Sequence, residues 1–334
     1  MENLSIMPSP HINHPDSTKG IMADVLIALL PASVAGCILF GWKVLLVIAV
    51  AVVTAVAAEF VCCTVMKRPT SIGDFSAVVT GLILALSVPP SIPLWMVAIG
   101  SFVAIVVVKQ LFGGLGANFV NPAMTARIVL AISFPTAMRT WTAPLGSVSQ
   151  IVSDATTVGE AVDIVTAATP LSDTALAGNY YSYTQLFLGQ TAGCIGETAA
   201  VFIVIGALYL FARRVITPVI PVSFIGTVAL MSWIFGLDPL YMILSGGLLF
   251  SAFFVATDYV TSPVGWMGQS IYGIGCGLIT FIIRRFIGIP EGVAYAILIM
   301  NLLALVINKI TLPKPFGSPR TCIIYNKIKK VFTK

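Results

Sequence analysis

Between residues 21 and 308 the chain is a succession of apolar runs almost free of charge. A hydrocarbon core about 30 Å thick takes about 20 such residues as one helix. Within it every backbone N–H and C=O needs a partner from the chain itself, so spans of this kind are helical. Charged residues make up only 9% of the chain and hydrophobic ones 58%. A soluble domain carries about 25% charged residues, so that class is excluded. The chain reads as an all-α polytopic membrane protein set in a lipid bilayer. Ten membrane elements are expected, near 21–40, 43–66, 75–88, 92–112, 122–135, 196–212, 216–236, 240–256, 267–286 and 292–308. The elements at 75–88 and 122–135 are too short to cross at 1.5 Å per residue, and the first stops at Val88-Pro89-Pro90. Proline ends helices, so a half-helix or re-entrant element is expected there. Residues 1–20 are polar, with His11, His14, Asp16 and Lys19, and read as a cytoplasmic tail. No cleavage-like site follows the run at 21–40, so it is expected as a retained span and not a signal peptide.

Basic residues set the orientation. The segment 309–334 carries Lys309, Lys314, Arg320, Lys327, Lys329, Lys330 and Lys334 without an acid, which assigns it to the cytoplasm. With ten crossings, Lys67-Arg68 and Arg213-Arg214 share that side. The loop 136–195, with Asp154, Glu160, Asp163 and Asp173 against Arg139, falls outside the membrane. Arg284-Arg285 then falls on the outer side, either as an exception to the rule or as a contact for a partner or cofactor. The halves also echo one another. Residues 87–89 resemble 261–263 and residues 112–114 resemble 286–288, both at an offset of 174. The expected organisation is a five-helix repeat at 21–135, the loop, and a second repeat at 196–308. Five crossings each give the repeats opposite topology, and inverted repeats with interrupted helices place a site near the midplane.

Several stretches break the apolar pattern. Residues 109–123 hold Gly113, Gly114 and Gly116, then Asn118, Asn121 and Pro122. Glycines permit close backbone approach, and the two amides offer donors and acceptors. The stretch suits the polar edge of a ring cofactor, and equally a turn with a helix cap. Its counterpart is 256–263, where Asp258 ends a span. Asp258, Glu59 and Glu291 are candidates for Na⁺ or H⁺ passage, because acids at membrane depth are costly. Each also suits a structural role at a helix end. Residues 193–198 form a glycine-rich entry to the sixth element, able to receive an anion or merely to flex. The six cysteines are scattered, with no CxxC and no Cys/His cluster, so neither a disulfide framework nor a metal site is expected. No nucleotide-binding glycine fingerprint follows a strand, so NAD binding by this chain is not expected. No nucleic-acid partner is expected either. Residues 163–171 lie in the long loop; a Thr-Pro pair there also suits a helix start.

Asp163, Thr166, Ala168 and Thr169 fit an Asp-x-x-Ser/Thr-x-Ala-Thr pattern, which resembles the site where a flavin transferase esterifies FMN onto threonine. With 76–90, 109–127, 196–198, 252–263 and 290–292 in the same order, nearly all of 21–308 resembles the RnfD family, membrane components of the Rnf complex. NqrB, of the Na⁺-translocating NADH:quinone reductase, is similar, and the short N-terminus here favours the Rnf branch. Two departures are small: Cys194 stands where many relatives have serine, and Ala167 where glycine is common. The resemblance implies two inverted five-helix repeats of urea-transporter type. It implies covalent FMN on Thr169 outside the membrane of a prokaryote and a non-covalent riboflavin within it, with Asn118 and Asn121 carried over as riboflavin contacts. It further implies an electron-transfer role in an ion-translocating ferredoxin:NAD⁺ oxidoreductase. The partners implied are a second FMN-bearing subunit, integral membrane subunits and iron–sulfur subunits. The competing readings are a urea-transporter-like solute channel and a Na⁺ transporter without redox role.

Overall fold

A computed structural model describes residues 17–68, 71–144, 169–171, 181–289 and 292–312. Every regular element among them is helical. The chain runs through α1 (Thr18–Phe40), α2 (Lys43–Val65), α3 (Ser76–Leu86), α4 (Leu94–Gln110), α5 (Pro122–Ser133) and the short α6 (Pro135–Met138). After the loop come α7 (Tyr183–Leu188), α8 (Ala200–Ala212), α9 (Val219–Ile234), α10 (Pro239–Leu244) and α11 (Leu248–Phe250). The last two are α12 (Trp266–Ile287) and α13 (Gly292–Thr311). Of these, α1, α2, α12 and α13 are long and apolar enough to cross a membrane, and five shorter apolar helices accompany them.

Local chemistry sets the ends. Ser17 Oγ accepts from Gly20 N–H at 3.1 Å and opens α1. Asn121 caps α5 through Ala123 and Met124 N–H, with Pro122 in the first turn. A cap of this kind satisfies donors that a helix start otherwise leaves open. The expected short third element is α3, which stops at Leu86 ahead of the two prolines. All of its residues but Val78 are buried, as befits a helix enclosed by others rather than by lipid. Large apolar side chains such as Ile38, Leu45, Val61 and Trp233 are instead exposed along the other helices, the surface a bilayer covers.

Two expected spans are corrected. The element at 196–212 becomes helical only from Ala200. Residues 189–199 before it are irregular yet largely buried. They use their backbone to complete α3: Gly196 N–H donates to Leu86 O at 2.8 Å and Ile195 N–H to Val88 O at 3.2 Å. Carbonyls at a buried helix end need such partners. The element at 240–256 is not one helix. It breaks at 245–247 between α10 and α11, and α11 continues as a π-helix over Ser251–Val255. Glycine at the break leaves room for close neighbours. A side chain on Gly247 would run into the Glu197 carboxylate, and one on Gly246 would meet Leu171 and Arg284. Two further π-helical stretches close α4 (Val103–Gln110) and α12 (Ile283–Ile287); such stretches concentrate at functional places.

The helices pack through small residues, the usual device where lipid provides no hydrophobic drive between them. Gly273 and Gly277 of α12 let the carbonyls of Ile220 and Phe224 on α9 come close, and Gly206 of α8 sits against Ala28 of α1. The resulting core runs without interruption from Leu29 and Val44 through Leu84 and Met124 to Phe250 and Ile297.

Candidate functional site

Two pockets lie at the two ends of α3. The first is lined by the first turns of α1 and α3 and by the turn leading into α5. It also takes residues from 253–260. Its walls are mostly aliphatic, with polar atoms from Ser76, Thr80, Lys109, Asn118, Asn121 and Asp258. The sequence stretches 109–123 and 256–263 are therefore brought together, although about 140 residues separate them in the chain.

The glycines of the turn do what their spacing implied: Gly113, Gly114 and Gly116 adopt φ of +128°, +96° and +87°. Asn118, which lines the pocket, donates its Nδ2 to Val120 O at 3.1 Å, and its Oδ1 has no hydrogen bond among the described residues. Asn121 spends its Oδ1 on the α5 cap, and its Nδ2 has no hydrogen bond among the described residues. With the Asn301 amide oriented to suit its neighbours, its oxygen accepts from Asn121 N–H at 3.0 Å and its nitrogen donates to Tyr272 Oη at 2.6 Å. The turn is thus both a cap, the bland reading, and a pocket wall with one free acceptor and one free donor.

Asp258 bonds Val260 N–H at 3.3 Å and Thr261 Oγ1 at 3.2 Å, with no cation in contact among the described residues. Glu59 differs. Its side chain is wholly buried and one oxygen collects three donors: Ser71 Oγ at 2.5 Å, Lys109 Nζ at 2.8 Å and Gln110 Nε2 at 3.0 Å. Lys109 also donates to Ser76 Oγ at 2.7 Å. Glu59 is the counter-ion of a buried lysine, and its Oε2 has no hydrogen-bond partner among the described residues. Glu291 lies outside the described residues.

The second pocket, about 480 Å³, is lined by Thr169, Pro170 and Leu171, by Trp141, by 191–194 with Glu197 and Thr198, and by Arg127, Gly246 and Gly247. Thr169 is partly exposed, and Pro170 and Leu171 are buried. Thr169 Oγ1 accepts from Leu171 N–H at 3.2 Å, and Tyr241 Oη donates to Pro170 O at 3.2 Å. These bonds hold the threonine at the pocket mouth. Asp163, Thr166 and Ala168 lie outside the described residues.

Beneath Thr169 the pocket is charged. Arg127 is buried on α5 and grips Glu197, with Nη1 to Oε1 at 2.5 Å and Nη2 to Oε2 at 3.3 Å. Arg127 Nη2 also meets Cys194 Sγ at 3.3 Å. Arg284, on the π-turn of α12, donates to Met242 O at 3.0 Å and Ser245 O at 3.2 Å. It is buried, and it donates to carbonyls at the α10–α11 break. Its Nη2 lies beside Gly246, next to Gly247, against which the Glu197 carboxylate packs. Thr198 Oγ1 is buried without a partner among the described residues. Arg127, Tyr241 and the Glu197 pairing went unread in the sequence. The available signal was a lone arginine inside the apolar stretch 122–135, since charge at membrane depth marks function by default. Its partner, 70 residues away, could not be read from spacing.

Arg68 Nη1 donates to Gln110 O at 3.2 Å, and Arg213 pairs with Asp24 at 3.2 Å.

Residues 5–317 match the model of the NQR2, RnfD, RnfE family. The chain is 42% identical to the D subunit of the Na⁺-translocating ferredoxin:NAD⁺ oxidoreductase complex of Acetobacterium woodii, over 94% of this chain and 96% of that one. It is also 42% identical to the D subunit of the proton-translocating ferredoxin:NAD⁺ oxidoreductase complex of Clostridium ljungdahlii, over 95% and 97%. A third relative, the D subunit of the ion-translocating oxidoreductase complex of Halorhodospira halophila, is 36% identical over 94% and 96%.

Proposed function

The chain belongs to the NQR2, RnfD, RnfE family, and from that premise we propose that it is the D subunit of an ion-translocating ferredoxin:NAD⁺ oxidoreductase. It would work as a multi-pass membrane protein among the other subunits of that complex. Thr169 would carry FMN as a phosphoester, and the pocket with Asn118 and Asn121 would hold riboflavin. Flavins accept and release electrons one or two at a time, which is the chemistry the chain would contribute. The observation that carries this reading is the placement of Thr169. It lines a pocket together with Thr198, whose buried hydroxyl has no partner among the described residues and can donate to an oxygen-rich group, and with the buried Arg127–Glu197 pair.

The chain's own residues divide the work. Tyr241 and the Leu171 amide fix Thr169; the apolar walls of the first pocket exclude water from a ring. Asn118 Oδ1 and Asn121 Nδ2 supply one acceptor and one donor for a pyrimidine edge. Asp258, at the same pocket and without a counter-cation among the described residues, is the best-placed acid for the coupling ion; Glu59 is already committed to Lys109. Two inverted five-helix repeats account for α4 and α12 both ending in a π-helical stretch that presents a basic residue, Lys109 and Arg284. In this reading 136–195 lies outside the cytoplasmic membrane and 309–334 inside.

The test is in-gel flavin fluorescence after denaturation, in cells that make the flavin transferase. The full chain should fluoresce, and Thr169→Ala should abolish the signal while the protein still inserts. Fluorescence that survives Thr169→Ala but vanishes in Thr157→Ala or Thr166→Ala would move the attachment site.

A further inference from the structure

The charged floor below Thr169 is costly to build. Each of its members is buried: Arg127 is 2% exposed, Glu197 5% and Arg284 6%. Burying ionic groups costs several kcal/mol per ion before pairing is counted. Arg284 does not grip Glu197 directly. It is held by two neutral carbonyls, so its charge is spread into the surroundings rather than cancelled at contact. Its guanidinium flanks Gly246 while the Glu197 carboxylate fills the space beside Gly247. Both glycines line the pocket that Thr169 closes. Charges held in a site of low polarity act on whatever binds there more strongly than they would in water.

Resting on the Thr169 reading above, we propose that Glu197, set between Arg127 and Arg284, is an electrostatic floor that sets the reduction potential of the group esterified to Thr169. Each electron taken up there without a proton adds one negative charge to the pocket, the electron coming from the reducing partner of the complex or, in a titration, from dithionite. Arg284 lowers the free energy of that added charge, and Glu197 raises it. The two residues therefore act with opposite sign on one equilibrium. A merely structural role for both would disturb the pocket without regard to sign.

The experiment is a mediated potentiometric titration of the purified full-length chain, followed by flavin absorbance, with Thr169→Ala subtracted to isolate the covalent group. Arg284→Gln keeps a donor for the carbonyls and removes the charge. It should make reduction harder by at least tenfold in the reduced-to-oxidised ratio, about 59 mV for a one-electron step. Glu197→Gln keeps hydrogen bonds to Arg127 and should make reduction easier by a similar factor. Arg284→Lys should restore most of the wild-type potential. If Arg284→Gln does not accumulate, the sign of the Glu197→Gln shift decides alone. Shifts of the same sign, or of less than twofold, overturn the proposal while leaving Thr169 as the attachment site. Absence of covalent fluorescence from the wild-type chain would instead sink the attachment reading, and the proposal with it.

Discussion

Replacing Lys109 with methionine isolates the worth of the buried pair at the first pocket. Lys109 and Glu59 keep 3% and 0% of their side-chain surface exposed, and Nζ lies 2.8 Å from Oε1. Methionine fills a similar volume but leaves the carboxylate with only Ser71 and Gln110 as donors. Removing one partner of a buried pair costs about 3–5 kcal/mol, because the remaining charge is stranded. Adding Glu59→Gln to Lys109→Met removes that stranded charge. The double variant should recover most of the loss and end within about 1–2 kcal/mol of the wild type, the scale of one or two neutral hydrogen bonds. The exposed pair gives the contrast. Arg213 is 57% exposed beside Asp24, so Arg213→Met should cost no more than about 1 kcal/mol. Unfolding in mixed detergent micelles, followed by tryptophan fluorescence, measures all four proteins. A Lys109→Met variant as stable as Arg213→Met, or a double variant no better than Lys109→Met, would refute the account of Glu59 as a stranded counter-ion.

Asn121→Asp keeps an acceptor for the α5 cap and removes the free amide donor, so it should lower riboflavin content at nearly unchanged stability. Asn121→Ala should lose both and cost about 0.5–2 kcal/mol for the cap, as measured by extracted riboflavin and by unfolding. Gly247→Ala should destabilise by about 1–3 kcal/mol, because the new methyl group must displace the Glu197 carboxylate; a neutral effect would show the break at 245–247 to be loosely packed. Tyr241→Phe loses its bond to Pro170 O and should cost about 0.5–1.5 kcal/mol, with slower flavin loading at Thr169 seen as weaker in-gel fluorescence. A cysteine placed at Ser149 should react with an impermeant thiol reagent in intact cells, and one at Thr333 should not; the reverse pattern would invert the proposed orientation.

The sequence by itself determined the class, because a chain with so little charge and so long an apolar succession has no soluble solution. It also determined where α3 stops, since Pro89-Pro90 remove donors whatever surrounds them, and where α5 starts, since Asn121-Pro122 form a cap locally. The left-handed glycines after Lys109 followed from composition for the same reason. Other features belong to the tertiary structure alone. Nothing near Glu197 in the chain says that it meets Arg127, that 196–199 stays unwound at the start of the sixth element, or that the apolar run at 240–256 breaks. These segments unwind because a buried charge pair and the open carbonyls of α3 and α10 are better satisfied by irregular backbone than by two more helical turns. Glu59 shows the same limit from the other side. Its isolation in an apolar run made it a candidate for ion passage, and only the packing of α2 against α4 supplied the lysine that its charge requires. Local rules act over a few residues, whereas charge pairing in a membrane interior is decided across elements far apart in the chain, and there the fold chose.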